Sequence, residues 1–272
     1  MKKMMAARVC AALCAGLALA GCAKKKAPPA ADESLLKVQE KGSLVLGLDD
    51  SFPPMGFRDE NNEIVGYDID LAREVCARLG LSLVTQPINW DAKEQELATG
   101  EIDCIWNGFT ITEERRNAVL YTPPYLRNAQ VVVVKADSPV QTLADLAGKK
   151  VGTQQGSSSI EAIDGAPDFK ASLTEVVEFK DFLTALMDLD TGGIDAVVID
   201  LVVANDNINR SQKPFRILDE NLGEEEFGIG FRKTDQALAD KVWETLLAMA
   251  ADGKVAEIAT KWLGADISII GK

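Results

Sequence analysis

"TGEIDCIWNG" (99–108) recurs 92 positions later as "TGGIDAVVID" (191–200), with Thr, Gly, Ile and Asp at matching places. Each stretch predicts a helix that ends at the glycine, after which Ile-Asp leads into a buried strand. Chance similarity is the alternative explanation, because helix-to-strand corners share residue preferences. Since 272 residues suffice for two cores of ordinary size, the repeat favours two similar lobes.

The sequence before the first corner alternates between strand and helix patterns. "SLVLGLD" (43–49) and "LSLVTQPI" (81–88) have strand composition, and "DLAREVCARLG" (70–80) between them has apolar residues at helical spacing. This alternation predicts α/β layers, with helices packed on a mainly parallel sheet.

Two long segments connect the lobes in this interpretation. The β-branched run "YLRNAQVVVVKADSP" (125–139) carries the chain across, and a return is expected near "FRILDENLGEEEFGIGF" (215–231), before two terminal helices within 235–264. We assign 34–126 and 224–272 to a discontinuous lobe 1, 130–220 to lobe 2, and 127–129 and 221–223 to the hinge crossings. Two crossings predict a hinge, so closure around a ligand is the natural motion.

The N-terminus has the pattern of an export signal. Lys2, Lys3 and Arg8 accompany an apolar run (9–20) that is too short to span a bilayer, which predicts a signal peptide over 1–21. "LAGC" (19–22) resembles the bacterial lipobox, so we expect lipid on Cys22 and a flexible tether over 22–33. An ordinary cleavage site is the alternative. The predicted location is outside the cytoplasm and anchored to the membrane, either on a Gram-positive surface or in a periplasm.

The composition argues against several classes of function. The net charge of −13 and pI of about 4.6 disfavour a nucleic-acid partner. The chain has no histidine and no CxxC, which removes the usual metal sites and the histidine-dependent nucleophilic triads, and nothing indicates a cofactor. Beyond the signal region and Cys22, Cys76 and Cys104 remain. Buried free thiols are expected, although a bridge stays open.

Arg115 is the main candidate for ligand binding. In "WNGFTITEERR" (106–116), Thr112 has the pattern of a helix N-cap, and Arg115 occupies the third helical position, where a capping box would have Glu or Gln. A guanidinium at the start of a helix that follows a strand is well placed to bind a carboxylate with two parallel hydrogen bonds. Thr110 adds a hydroxyl, and Gly108 permits close approach to the backbone. The alternative is a surface arginine paired with a neighbouring glutamate.

Asp200 offers the opposite charge at the end of the second buried strand, where it could accept an ammonium group. Capping of the next helix is the alternative role. In "VGTQQGSSSIEAI" (151–163), a glycine loop leads into a helix, and Ser158 with Glu161 fits a capping box with free N–H groups for an anion. The P-loop lysine is missing, so a nucleotide is disfavoured.

Further candidates follow strand ends. Phe52 and Trp90 could pack on a ligand side chain, although core packing is the common role of an aromatic residue. Asp49 and Asn107 are polar candidates, and Glu94 is a weaker one.

Five stretches together resemble the family 3 extracellular solute-binding proteins, the amino-acid-binding components of bacterial ABC importers. They are "GYDIDLAREV" (66–75), "WNGFTITEERR", "VGTQQGSSS", "IDAVVID" and "DGKVAEIATKWLG" (252–264), and the resemblance extends from about Ser34 to Gly264. It implies a periplasmic-binding-protein-like fold of type II, a Venus flytrap of two α/β lobes joined by a two-strand hinge.

The resemblance also implies roles for the candidate residues. Arg115, Thr110 and Gly108 would hold the α-carboxylate, Ser158 would contact the same group, and Asp200 would take the α-ammonium. Asp49, Phe52 and Trp90 would line the side-chain pocket. The implied partners are an L-amino acid and the permease and ATPase subunits of the importer.

We therefore predict a binding protein rather than an enzyme. Asp49 with Glu94 favours a basic ligand such as arginine, whereas Asn107, Gln154 and Gln155 would suit glutamine, and cystine stays open. One alternative is an enzyme on the same fold, such as a dehydratase of small carboxylic acids that uses a cleft carboxylate as acid or base. Another is a ligand-sensing module.

Overall fold

A computed structural model describes residues 32–211 and 213–272, and 32–272 form one compact unit. The predicted signal peptide, Cys22 and the tether as far as residue 31 lie outside the described residues. No helix in the described part is long and apolar enough to cross a membrane.

The described strands are β1 (Ser43–Leu48), β2 (Ser51–Phe52), β3 (Gly56–Arg58), β4 (Ile64–Val65), β5 (Ser82–Pro87), β6 (Cys104–Ile105), β7 (Val119–Tyr121), β8 (Leu126–Lys135), β9 (Lys150–Gln154), β10 (Glu175–Phe179), β11 (Ala196–Asp200), β12 (Phe215–Phe227) and β13 (Gly230–Arg232). The described helices are α1 (Ser34–Lys41), α2 (Tyr67–Leu79), α3 (Lys93–Thr99), α4 (Glu113–Ala118), α5 (Ser158–Asp164), α6 (Pro167–Ser172), α7 (Phe182–Thr191), α8 (Leu201–Ser211), α9 (Gln236–Ala251) and α10 (Lys254–Leu263), with 3₁₀ turns at Trp90–Ala92 and Leu143–Leu146. The two predicted terminal helices are thus confirmed as α9 and α10.

Two five-stranded sheets of the same design form the two lobes. The first has the order β5-β1-β6-β13-β7 and the second β10-β9-β11-β8-β12. In each sheet four strands run in one direction, and one strand, β13 in the first sheet and β8 in the second, is antiparallel to both of its neighbours. The expectation of a mainly parallel sheet is therefore right for four of the five strands in each sheet. The reversed strand of each sheet directly follows a strand of the other sheet, so the chain enters it from the opposite end.

The sequence repeat marks the same corner in both sheets. Helices α3 and α7 each end at a glycine in the left-handed conformation, Gly100 with φ 84° and Gly192 with φ 85°. Glycine adopts this conformation without the steric cost that a Cβ carries. Strands β6 and β11 follow, as the repeat predicts.

The repeated aspartate fastens each corner to its sheet. The Asp103 N–H donates to the Val45 carbonyl at 2.8 Å, and its carboxylate accepts the Val45 N–H at 2.7 Å. The Asp195 N–H donates to the Lys150 carbonyl and its carboxylate accepts the Lys150 N–H, both at 2.9 Å. Each Ile-Asp therefore sets the position at which its buried strand enters the sheet.

Strands β8 and β12 connect the lobes and pair antiparallel from Leu126 and Phe227 at one end to Lys135 and Phe215 at the other. Before β8 the chain belongs to the first sheet, and after β12 it returns there as β13. Residues 127–129 lie opposite 224–226 in this ladder. The exact lobe and hinge boundaries stay a prediction.

Cys76 on α2 and Cys104 on β6 are buried free cysteines, as expected for thiols that act as small apolar side chains.

Candidate ligand-binding site

A small cavity lies between the lobes, beside the carboxyl ends of strands from both sheets. Its volume is about 10 Å³, which is roughly the space of one water molecule. The lining residues are Phe52, Trp90, Gly108, Thr110 and Arg115 from the first lobe and Gln154, Ser157, Ser158, Phe182 and Asp200 from the second. Seven of the nine predicted ligand-binding residues are in this set, and Asp49 and Asn107 lie behind it.

Arg115 is held by backbone carbonyls from both lobes. Its N–H donates to the Thr112 hydroxyl at 3.2 Å, which confirms Thr112 as the N-cap of α4. Its Nη1 donates to the Thr110 carbonyl at 3.1 Å and its Nη2 to the Gly156 carbonyl at 3.0 Å. The side chain is only 7% exposed, and the carboxylates within 4.0 Å of it in the described part are Glu94 and Glu161. Arg115 is therefore not a surface arginine paired with its neighbours in the sequence.

Lys93 shares the same carbonyl, and sequence reasoning missed it. Its Nζ donates to the Gly156 carbonyl at 2.8 Å and to the Trp90 carbonyl at 3.1 Å, and the residue is 3% exposed. Burial, and next the positive charge of Arg115, lower the pKa of Lys93 to about 8. Two cations of the first lobe thus converge on one carbonyl of the second.

Gly156 makes this convergence possible. Its φ is +70°, and an added Cβ would lie 2.9 Å from the Cα of Asp91 in the first lobe. Real Cβ atoms do not approach backbone so closely, so only glycine allows the loop to sit where both cations reach its carbonyl.

The predicted capping box at Ser158 and Glu161 is wrong. Ser157 is the N-cap of α5, and its hydroxyl donates to the Gln154 carbonyl at 2.7 Å rather than capping the helix. Ser158 is already helical, and its hydroxyl donates across the cavity to the Thr110 hydroxyl at 3.0 Å. The serine is thus engaged with the opposite lobe instead of its own helix.

Asp200, at the end of β11, belongs to a polar cluster that it forms with side chains of the connecting strands β8 and β12. Asn128 Nδ2 and Gln130 Nε2 donate to Asp200 Oδ1 at 2.6 and 3.1 Å, and the same two nitrogens donate to Glu225 Oε1 at 2.7 and 2.9 Å. Thr110 also donates to Glu225 Oε1 at 2.9 Å. Burial, and next the charge of Glu225 and a hydrogen bond with it, raise the pKa of Asp200 well above its ordinary value.

Sequence reasoning missed Glu225 and both amides, although a signal existed. Asn128 and Gln130 are two residues apart in β8, just before its run of four valines, so they share one face. Polar residues so placed in a buried strand indicate a polar partner on that face. The partner Glu225 lies directly opposite Asn128 in the ladder, which only the register reveals.

Asp49 is tied to both lobes. Its Oδ2 accepts Gln154 Nε2 at 2.7 Å, its Oδ1 accepts the Ser51 N–H at 2.9 Å, and its own N–H donates to Asn107 Oδ1 at 3.0 Å. Burial raises the pKa of Asp49 to about 6, against the hydrogen bonds that lower it. Asn107 therefore positions the backbone of Asp49 and lies behind the cavity wall, so its role as a ligand contact stays a prediction.

The N–H of Gly108 is already used. It donates to Asp68 Oδ2 at 2.7 Å, and the Tyr125 hydroxyl donates to the same oxygen at 2.9 Å. Asp68 is fully buried, which raises its pKa to about 7. Gly108 has φ +55°, and an added Cβ would lie 2.7 Å from the Phe52 ring. Glycine at this position therefore lets the turn pack directly against the Phe52 ring. The sequence analysis did not single out Asp68 as a site residue.

The aromatic candidates line the cavity and also pack against other rings. Phe52 contacts Phe182, another residue that sequence reasoning missed, at a ring-centroid distance of 5.9 Å, and Trp90 meets Phe109 edge-on at 5.8 Å. Phe182 had no local signal that separates it from an ordinary core aromatic. Within the described part, no group of three or more acidic or cysteine side chains could hold a metal ion.

The sequence profile of the bacterial extracellular solute-binding proteins, family 3, matches residues 44–265. The chain belongs to this family. Among its relatives, the L-cystine-binding protein TcyJ of Escherichia coli (strain K12) is 30% identical over 241 residues, which are 88% of this chain and 89% of that protein. The match confirms the resemblance that the sequence stretches indicated.

Solved structures of related proteins share the fold. Tv2483 bound to L-arginine has a TM-score of 0.85 at 36% identity, covering 89% of this chain and 98% of that one. An ABC uptake transporter substrate-binding protein from Streptococcus pneumoniae with bound histidine has a TM-score of 0.85 at 37% identity, covering 88% and 99%. The predicted fold, a type II periplasmic-binding-protein-like flytrap of two α/β lobes joined by two strands, is confirmed.

One similar structure is connected to an enzyme. The ancestral amino acid-binding protein AncCDT-1, a precursor of cyclohexadienyl dehydratase, has a TM-score of 0.78 at 30% identity and covers 84% of this chain and 99% of that one. This fold is therefore linked both to amino-acid binding and to a dehydratase, the two functions that the sequence left open.

Proposed function

We propose that this protein is the substrate-binding component of an ABC-type amino-acid importer and that it captures a polar L-amino acid between its lobes. The observation that carries the proposal is the pairing of Arg115 and Asp200. Both line one interlobe cavity, both are more than nine-tenths buried, and they bring opposite charges from different lobes. An α-amino acid presents the two complementary charges on one carbon.

The carboxylate end of the ligand would bind at Arg115. The guanidinium donates to two neutral carbonyls, and a carboxylate is a stronger acceptor because the hydrogen bonds are then charge-assisted on both sides. The hydroxyls of Thr110 and Ser158 meet beside it, one from each lobe, and can donate to the same group. A ligand carboxylate would therefore be contacted by both lobes at once.

The ammonium end would bind at Asp200. This carboxylate is buried and lies at the mouth of β11 beside Glu225, so an ammonium group there would relieve two acidic groups that face each other. The role of Asp200 is thus supported by its surroundings as well as by its place in the sequence.

The ligand side chain would extend toward Phe52, Trp90 and Asp49. Aromatic walls with an acidic group favour a cation, which matches the arginine and histidine of the two similar structures. A basic amino acid such as arginine is therefore our first candidate. Glutamine and cystine are the others, the latter because of the cystine-binding relative.

Capture would proceed by closure of the two lobes about the connecting strands. A ligand that contacts both lobes prefers the closed state and shifts the equilibrium by its difference in affinity, so the permease and ATPase can distinguish loaded protein from empty protein. The signal peptide would direct export, and the lipid on Cys22 would then keep the protein at the outer face of the membrane.

The test is calorimetric titration of the protein, unfolded and refolded to remove bound ligand, with L-arginine, L-histidine, L-glutamine and cystine. We expect amino acids of only one chemical class among these four to bind tightly. Arg115→Ala should weaken that binding by about 2–5 kcal/mol, roughly 30-fold or more, because the ligand carboxylate loses its buried partner. Arg116→Ala, an exposed neighbour, is the matched control. Equal binding by Arg115→Ala and wild type would show that the proposed geometry is wrong.

A dehydratase is the second candidate, supported by the ancestral relative and by an acidic group with a raised pKa in the cavity. Incubation with small carboxylic acids and detection of an unsaturated product would favour it. Binding of an amino acid without any product would favour the importer.

A further inference from the structure

Asp200 and Glu225 share their hydrogen-bond donors. Asn128 Nδ2 lies 2.6 Å from Asp200 Oδ1 and 2.7 Å from Glu225 Oε1, and Gln130 Nε2 lies 3.1 and 2.9 Å from the same two oxygens. Two oxygens that both contact the same pair of nitrogens must themselves be close. Two ionised carboxylates at such a separation repel each other strongly, and one proton between them removes the repulsion.

The surroundings of this pair do not neutralise it. Strand β8 supplies the two amides, and the facing loop and helix supply the hydroxyls of Thr110 and Ser158. In the described part no lysine or arginine nitrogen forms an ion pair within 4.0 Å of either carboxylate. The charged residues of the groove beside Glu225 are of both signs, namely Arg116, Arg127, Glu224 and Glu226.

We propose that Asp200 and Glu225 together hold one proton while no ammonium group is bound, and that the ammonium group of the ligand expels this proton as it binds. The bound cation then lies between two ionised carboxylates, and the proton passes to solvent. The inference rests on the proposed function, because it takes the ammonium of an amino acid as the occupant. It assigns Glu225 a part in ligand binding that the sequence did not indicate.

The direction of the pH effect follows from this exchange. Burial beside Glu225 raises the pKa of Asp200 in the free protein, so more of the pair is protonated as the pH falls. Ligand binding then has to remove a proton, and affinity should fall by up to about tenfold for each pH unit below the raised pKa. Above that pKa the pair is already ionised, so the affinity should no longer change with pH because of it.

Proton release can be measured directly by calorimetry. We would titrate the refolded protein with L-arginine and with L-glutamine in two buffers that differ in ionisation enthalpy, at several values between about pH 5 and about pH 8. The expected result is a binding enthalpy that depends on the buffer and corresponds to release of up to one proton. The use of L-glutamine excludes titration of a basic ligand side chain as the source.

Three variants identify the groups involved. Glu225→Gln keeps an oxygen acceptor but cannot share a proton, so proton release and the pH dependence of affinity should disappear. Glu224→Gln, an exposed neighbour on the same strand, should behave as wild type. Asp49→Asn tests the carboxyl behind the cavity wall, whose pKa burial raises to about 6; its affinity for a basic ligand should change, but the number of protons released per bound ligand should not.

The outcomes separate this inference from the proposed function. Absence of binding by either amino acid, by L-histidine and by cystine would overturn both. Binding without buffer dependence in the wild type, which needs no variant to fold, would overturn only the proton exchange. Loss of proton release in Asp49→Asn but not in Glu225→Gln would assign the proton to Asp49 and refute the pair.

Discussion

Replacement of Gly156 by alanine tests whether the lobes close through the contacts described here. Gly156 is in the second lobe, and its carbonyl accepts Lys93 and Arg115 from the first. The added Cβ would lie 2.9 Å from the Asp91 Cα and 3.1 Å from its Oδ1. The methyl group therefore collides with backbone of the opposite lobe, and only when the lobes are together.

The expected magnitude has two parts. Alanine at φ +70° costs about 1–2 kcal/mol whether the folded protein is open or closed. This first part therefore lowers the stability of the fold without changing the affinity for the ligand. Overlap with packed neighbours costs about 1–3 kcal/mol more, and it applies to the closed state only. The second part should weaken ligand binding by about 5- to 150-fold.

Gly148→Ala is the matched control. Gly148 has φ +74° in the same lobe, is exposed, and an added Cβ there meets nothing within 4 Å. Calorimetric titration and thermal unfolding of both variants should show similar losses of melting temperature without ligand but a loss of affinity only for Gly156→Ala. Wild-type affinity in Gly156→Ala would refute the reasoning, because the lobes would then close without this approach.

Two further changes test buried ionisable residues. Lys93→Met removes one of the two donors to the Gly156 carbonyl and should weaken ligand binding by about 1–3 kcal/mol, measured by calorimetry against exposed Lys37→Met. Equal affinities of Lys93→Met and wild type would show that Arg115 suffices. Asp68 has its pKa raised by burial from 3.8 to about 7, so the stability gained by protonating it is complete below pH 3.8 and is lost as the pH rises through 7. That loss corresponds to at most about 4 kcal/mol. Asp68→Asn, which stays neutral, should lack it when unfolding in urea is compared at acid and neutral pH; parallel profiles for variant and wild type would contradict the assignment.

The sequence predicted those features that depend on neighbours along the chain. The corners at Gly100 and Gly192, the N-cap at Thr112, and the positions of Arg115 and Asp200 at strand ends all follow from local patterns of a few residues. Seven predicted site residues consequently line the cavity. Their roles toward a ligand are proposals that the substitutions above would test.

The features that the sequence could not predict depend on which segments meet. Lys93 looks like a surface lysine on an acidic helix, and the sequence does not show that its ammonium group binds the Gly156 carbonyl of the other lobe. Glu225 lies in an acidic run, and only the register of β12 with β8 brings it opposite Asn128. Ser158 was assigned to the wrong capping position because its contact with Thr110 belongs to the other lobe.

The location of Asn128, Gln130 and Glu225 on the connecting strands limits how this protein can be redesigned as a biosensor. In the proposed mode of binding and closure, a substitution at these positions would change both the environment of the ligand and the stiffness of the strands that connect the lobes. The range of ligand concentrations that such a sensor detects and the size of its signal would therefore change together. Phe52 and Trp90 lie off those strands, so ligand preference can be altered there while the bending element keeps its native sequence.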